Sequence, residues 1–134
     1  MRVVTATWPM KQFQANFPMA LDEANHRLFI GCRRPARLVV LDTSSGKPIT
    51  DLALAGDTDD LFYDASRRRI YVSCGDGFVD VITQANADRY RPRARIPTAA
   101  GARTAAFSLD LSEFYLAVPA RGGKRAEVRI FKAE

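Results

Sequence analysis

The chain has 134 residues, 47% hydrophobic and 26% charged, with a net charge of +5. That is enough for one domain with its own core and is ordinary for a soluble globular protein. No apolar run approaches the roughly 18–20 residues that span a membrane, and the modest positive charge chiefly favours solubility, with a slight bias toward anionic partners.

The chain opens with "MRVVTATWPM", which lacks the apolar stretch and small-residue cleavage site of a signal peptide. Within it, "RVVTATW" (2–8) predicts a strand with no partner strand before it. "PMALD" (18–22) predicts a short strand, "EANH" a polar turn, and "RLFIGC" (27–32) an apolar β-run. After the loop "CRRPAR" (32–37), "RLVVLD" (37–42) predicts a third strand. "DTSSGKPI" (42–49) is a hairpin connection in which Gly46 supplies a left-handed backbone. "TDLAL" (50–54) closes the group as an outer strand. The series then recurs as "DLFYD", "ASRR", "RIYVSC", "CGDGF", "FVDVIT" and "RYRPRARIP" (89–97), where Pro92 fits an edge strand. It recurs again as "TAAFS", "LDLSE", "FYLAVP", "PARGGKRA" and "EVRIF", without a fourth strand. No stretch predicts a helix.

Set above one another, "ALDEANHRLFIGC" (20–32) and "FYDASRRRIYVSC" (62–74) match at a constant offset of 42 residues. Asp22 falls on Asp64, Arg27 on Arg69, Phe29 on Tyr71 and Cys32 on Cys74. "FSLDLSEFYLAVP" (107–119) is a third copy, 44 residues further on. A period of about 40–45 residues with several strands per unit points to propeller blades. Arg67, Arg68 and Arg69 then fall on the turn between a blade's first two strands, where the other copies carry Asn25-His26-Arg27 and Ser112-Glu113-Phe114. A position that accepts Asn, His, Arg and Glu reads as a solvated turn, not a nucleic-acid contact.

The stretches "ALDEANHRLFIGC…RLVVLDTSSGK", "FYDASRRRIYVSC…FVDVITQAN" and "FSLDLSEFYLAVP…EVRIFKAE" resemble the YVTN-type β-propeller repeat of the YncE-like and nitrous-oxide-reductase-like propeller families. The resemblance runs from about Phe17 to Phe131 and implies an all-β chain of four-stranded antiparallel blades. It implies secreted or periplasmic scaffolds, among them binding proteins and domains of redox enzymes. The blades are expected at about 17–57, 58–101 and 102–134. With strand 2–8 the count is twelve strands, or three blades, whereas propellers close rings of about four to eight. Two solutions present themselves: the chain is a piece of a longer propeller, or it is a half-propeller whose second copy closes a six-bladed homodimeric ring. In that ring, strand 2–8 completes the third blade of the partner. The strand count favours the dimer, the commonest closed assembly.

In such propellers one face carries the loops between second and third strands together with the loops between blades. That face gathers Lys11, Arg33, Arg34, Arg37, Arg103, Arg121, Lys124 and Arg125, beside an acidic sector of Asp57, Asp59, Asp60 and Asp76. It is the candidate site for an anionic ligand or single-stranded nucleic acid, with Phe13, Phe17 and Phe78 available for stacking. The plainer reading is that wet loops are polar. Arg89, Arg91, Arg93 and Arg95 alternate and so share one face of a strand, as a phosphate-binding stripe or, more simply, as a charged edge that blocks aggregation. Cys32 and Cys74, at equivalent positions of adjacent blades, read as buried thiols too far apart for a disulfide. A single histidine, His26, and no C-x-x-C pair argue against zinc. "GDG" (75–77) lacks the further carboxylates of a calcium loop. A propeller-type metal-dependent hydrolase or lactonase is disfavoured, because the innermost strands offer Met19-Ala20-Leu21, Leu61-Phe62-Tyr63 and Ala105-Ala106-Phe107, which cannot cage a metal. The expectation is a non-enzymatic binding scaffold without a cofactor. Its expected partner is a second copy or further blades, with no membrane contact.

Overall fold

The computed structural model describes residues 2–134. Eleven strands form three antiparallel meanders, with no helix among the described residues. The first sheet holds β1 (Gln14–Asp22), β2 (Arg27–Arg34), β3 (Ala36–Asp42) and β4 (Pro48–Ala53). The second holds β5 (Thr58–Asp64), β6 (Arg69–Cys74), β7 (Phe78–Gln84) and β8 (Tyr90–Pro97). The third holds β9 (Ala105–Ser108), β10 (Glu113–Val118) and β11 (Glu127–Lys132), and no strand lies outside β11. The first sheet begins at Gln14, ahead of Phe17.

The early start has a local cause. The first strand continues through a bulge, marked by register shifts between Asn16 and Met19 and between Thr58 and Asp60. Ala15, Asp57 and Gly101 hold the same place in the three repeats and all have positive φ, at 52°, 60° and 85°. The turns after the first strands repeat in the same way. His26, Arg68 and Ser112 have φ of 56°, 54° and 55°. The three-arginine stretch is therefore a turn, with its middle residue in the left-handed region. Arg67 pairs with Asp64 at 3.0 Å and donates to Ser112 Oγ at 2.8 Å, which ties the second sheet to the third.

The core lies between sheets. Alternation along a strand sends successive side chains to opposite faces. Phe29, Leu38 and Val40 of the first sheet meet Leu61, Ile70, Val72 and Ile82 of the second. On its other face the second sheet turns Tyr71, Val79 and Val81 toward Phe114, Leu116 and Val118 of the third. Aromatic pairs cross both junctions, Phe29–Tyr63 at 5.3 Å and Tyr71–Phe107 at 5.1 Å between ring centres. Burying each such side chain contributes about 1.5–3 kcal/mol.

The expected strand at 2–8 does not form within the single chain. A strand needs an edge beside it, and here residues 2–7 stay exposed while the segment's last residue, Trp8, lies against the flat of the first sheet. There Trp8, Met10 and Phe13 cover Ile30, Cys32, Val39 and Leu41. The Trp8 ring sits over Gly46, where a Cβ would stand only 2.3 Å from it. Gly46, at φ 72°, is the left-handed hairpin residue the sequence predicts, and it also makes room for the only tryptophan.

Candidate functional site

Because each sheet is a meander, the β2–β3, β6–β7 and β10–β11 connections share one end of the molecule with the links between sheets. Backbone bonds tie these loops together. Gly75 N–H donates to Asp57 C=O at 2.7 Å, Gly101 N–H to Gly75 C=O at 2.7 Å, and Thr98 N–H to Gly77 C=O at 2.8 Å. The "GDG" stretch is thus a turn held by its neighbours.

The basic and acidic residues expected on this end do not form separate sectors. Arg33 donates to Thr58 C=O at 2.9 Å and reaches Asp57 at 3.5 Å and Asp59 at 3.4 Å. Arg103 pairs with the other oxygen of Asp57 at 2.7 Å. Asp60 accepts the Ala105 N–H at 2.7 Å. Asp57 therefore lies between two guanidiniums that join all three sheets. Arg37 turns outward to pair with Asp51 of β4. Of the eight expected ligand-binding residues, Arg33, Arg37 and Arg103 are engaged in holding the fold. Arg121, Lys124 and Arg125 are exposed on the β10–β11 hairpin, where Gly122 and Gly123 have φ of 57° and 79°. Arg34, at the β2–β3 connection, and Lys11, just before β1, are also exposed.

The expected stacking rings are occupied. The Arg33 guanidinium lies 4.3 Å from the centre of Phe17, and that of Arg95 lies 5.8 Å from Phe78. Phe13 packs on the first sheet. The arginine stripe of β8 is also divided. A register shift between Val81 and Ile82 leaves Arg93 without a cross-strand partner. Arg95 then falls opposite Asp80, while Arg91 falls opposite Thr83 on the other face. Arg95 binds Asp80 through two bonds of 2.7 and 3.0 Å, and Asp80 also accepts the buried Ala55 N–H at 2.8 Å. One bulged residue thus breaks the predicted shared face.

Cys32 and Cys74 are free and fully buried. Burial pushes the Cys74 thiol up to about 12, so neither chemistry nor exposure favours a reactive thiolate. His26 sits exposed in its turn. The described residues include no cluster of three or more His, Cys, Asp or Glu side chains able to hold a metal.

Sequence reasoning did not locate the cleft between the second and third sheets. It measures about 150 Å3 and is floored by Tyr71 and Phe114 and walled by Ala94, Ile96 and Phe131. Its only trace in the sequence is the missing fourth strand of the third repeat.

No family model and no curated protein matches the chain. Solved structures do. All of this chain superimposes on 48% of the Cps50 (Swd1) β-propeller domain of Myceliophteria thermophila, with TM-score 0.65 and 16% identity. A 6-phosphogluconolactonase-like protein from Bacteroides uniformis matches with TM-score 0.70 and 15% identity, over 96% of this chain and 41% of that one. Hydrazine synthase of Kuenenia stuttgartiensis matches with TM-score 0.67 and 15% identity, over 86% of this chain and 32% of that one. The chain thus spans less than half the length of each of these structures, and at these identities the likeness is one of fold. On that fold and on its own repeats, the chain is a row of β-propeller blades, two complete with four strands and a third with three.

Proposed function

We infer that the chain is a half-propeller binding scaffold that closes a six-bladed ring with a second copy of itself. The observation that carries this reading is the pair of unlike apolar faces at the two ends of the blade row, one exposed on the third sheet and one on the first sheet covered only by the chain's own Trp8, Met10 and Phe13. On the third sheet, Val128 and Ile130 are 64% and 62% exposed, beside Tyr115 and Ala117. These four stand where the second sheet has Val79, Val81, Tyr71 and Ser73, the face it turns to the third. On the first sheet, Leu28, Ile30 and Cys32 stand where the second has Ile70, Val72 and Cys74, the face it turns to the first. The exposed face of one copy's third sheet therefore offers the kinds of residue that the end face of another copy's first sheet is built to meet once its own Trp8 cover is displaced. Neighbouring exposed apolar side chains such as Val128 and Ile130 are a mark of association surfaces. The match to just under half of a propeller domain agrees with two copies per ring, and the resemblance to YVTN-type repeats agrees with a scaffold.

A binding role is favoured over an enzymatic one because the charged residues at the loop end mostly hold loops to one another, as Asp57 does between Arg33 and Arg103. Exposed cations that could meet an anionic ligand at this end are Arg121, Lys124 and Arg125 of the hairpin, with Lys11 and Arg34. Light scattering coupled to size exclusion tests the ring. The expected species has about twice the 14.9 kDa chain mass. A chain that stays single at micromolar concentration sinks the two-copy ring and assigns the open faces to other blades.

A further inference from the structure

β4 closes the first sheet and β8 the second, but β11 keeps an unpaired edge. The cleft between β8 and β11 lies where a fourth strand of the third sheet would turn its side chains toward the second. Between the first and second sheets, the corresponding space is filled by Leu52 of β4 and Tyr90 of β8, packed on the Phe29 cluster. The third sheet thus presents an open ladder edge with an apolar socket beside it.

Residues 2–8 have the character of the missing strand. They precede β1 as β4 precedes β5 and β8 precedes β9. Val3 and Val4 are 79% and 80% exposed, so much of the segment's apolar surface finds no cover in the single chain. Its anchor is Trp8, which together with Met10 and Phe13 lies on the open face of the first sheet. That is the face a second copy must cover to close the ring. One segment therefore blocks a surface that assembly needs, while lacking the edge that assembly supplies.

We propose that residues 2–8 are an exchange strand. When two copies meet, the segment leaves its own first sheet, pairs antiparallel with β11 of the second copy and places alternate side chains in the cleft. This rests on the two-copy reading above. Main-chain bonds along β11 supply affinity, and the cleft fixes the register. Lifting Trp8 from its seat over Gly46 removes one of the three side chains that cover the first sheet and frees Met10 and Phe13 to shift with it, so release of the segment and docking of the second copy are coupled.

The test compares the concentration dependence of mass for three chains: the full chain, one lacking residues 2–8, and Ala94→Trp. The new indole fills the cleft from an exposed position and removes no core side chain. Far-ultraviolet circular dichroism and cooperative urea unfolding establish that both altered chains keep the fold. An exchange strand requires each change to raise the half-association concentration at least about tenfold. It also requires a peptide of residues 2–8 to bind the shortened chain, and to lose that binding when Ala94→Trp is added. If removal of residues 2–8 leaves association unchanged or makes it tighter, the segment is only a cover and the exchange is overturned. If the full chain dimerises and Ala94→Trp has no effect, the exchange alone fails. A full chain that never dimerises overturns the two-copy reading and the exchange with it.

Discussion

Asp64 shows what a single repeated residue does in this fold. It is fully buried and accepts from Ser66 Oγ at 2.7 Å, from Arg67 at 3.0 Å and from Tyr71 Oη at 3.0 Å. Burial alone would raise its carboxyl, but the bonds from Ser66, Arg67 and Tyr71 outweigh it and hold the group below the usual carboxylate range. Asp22 has the same place in the first repeat, with Gln84 and Asn25 as donors. In the third repeat Ser108 takes the position and accepts the Leu111 N–H at 3.2 Å. Replacing Asp64 by Ala leaves Tyr71 Oη and Arg67 without their acceptor, at an expected cost of about 2–4 kcal/mol in urea unfolding at neutral pH. Because the folded carboxyl titrates below its unfolded value of about 3.9, its contribution is complete above that pH. It is lost as the pH falls through the lower folded value. The difference between the parent and Asp64→Ala should therefore shrink below about pH 4. The recurrence of Asp22 and Asp64 is visible in the sequence. Their partners are not, because Gln84 lies 62 residues from Asp22 and meets it only across a sheet junction.

At the level of elements, the strands and turns were legible because each repeat states them again. Val-, Ile- and Phe-rich runs alternate with turn residues in all three units. The bulges were not legible, since a register shift depends on hydrogen-bond pairing that residue types do not reveal. Reading Arg89 to Arg95 as one face failed at such a shift. The joint that results is specific. Asp80 holds the Ala55 N–H of the link between the first and second sheets and the Arg95 guanidinium of its own sheet. Asp80→Ala orphans a buried N–H and is expected to cost about 2–3 kcal/mol. Arg95→Ala is expected to cost under about 1 kcal/mol, because that arginine is half exposed and its charge is screened. Denaturant titration of the two variants checks the order, and equal losses would mean that the Ala55 bond does not hold the junction.

For the whole molecule, the shortage of strands could be counted from sequence. The fate of the open faces could not, because the rotation from blade to blade is a property of packing. Ile130→Lys addresses the face directly. Ile130 is exposed in the single chain, so its replacement should change unfolding free energy by less than about 0.5 kcal/mol. In the two-copy ring it would bury an ammonium among apolar side chains, and the expected outcome in size exclusion is a single chain of normal stability. A dimer that survives this substitution would mean that association uses some other surface.

The two end faces differ from each other, which gives every copy a head and a tail. Contacts of that heterologous kind either close on themselves or run on as filaments. A copy carrying Ile130→Lys keeps its head and loses its tail. Mixed with the parent, it can still occupy a parent tail while offering no tail in return, so it acts as a terminator. If the proposed ring forms, the fraction of complete rings should therefore fall faster than the mole fraction of parent chains, in the manner of a dominant defective subunit.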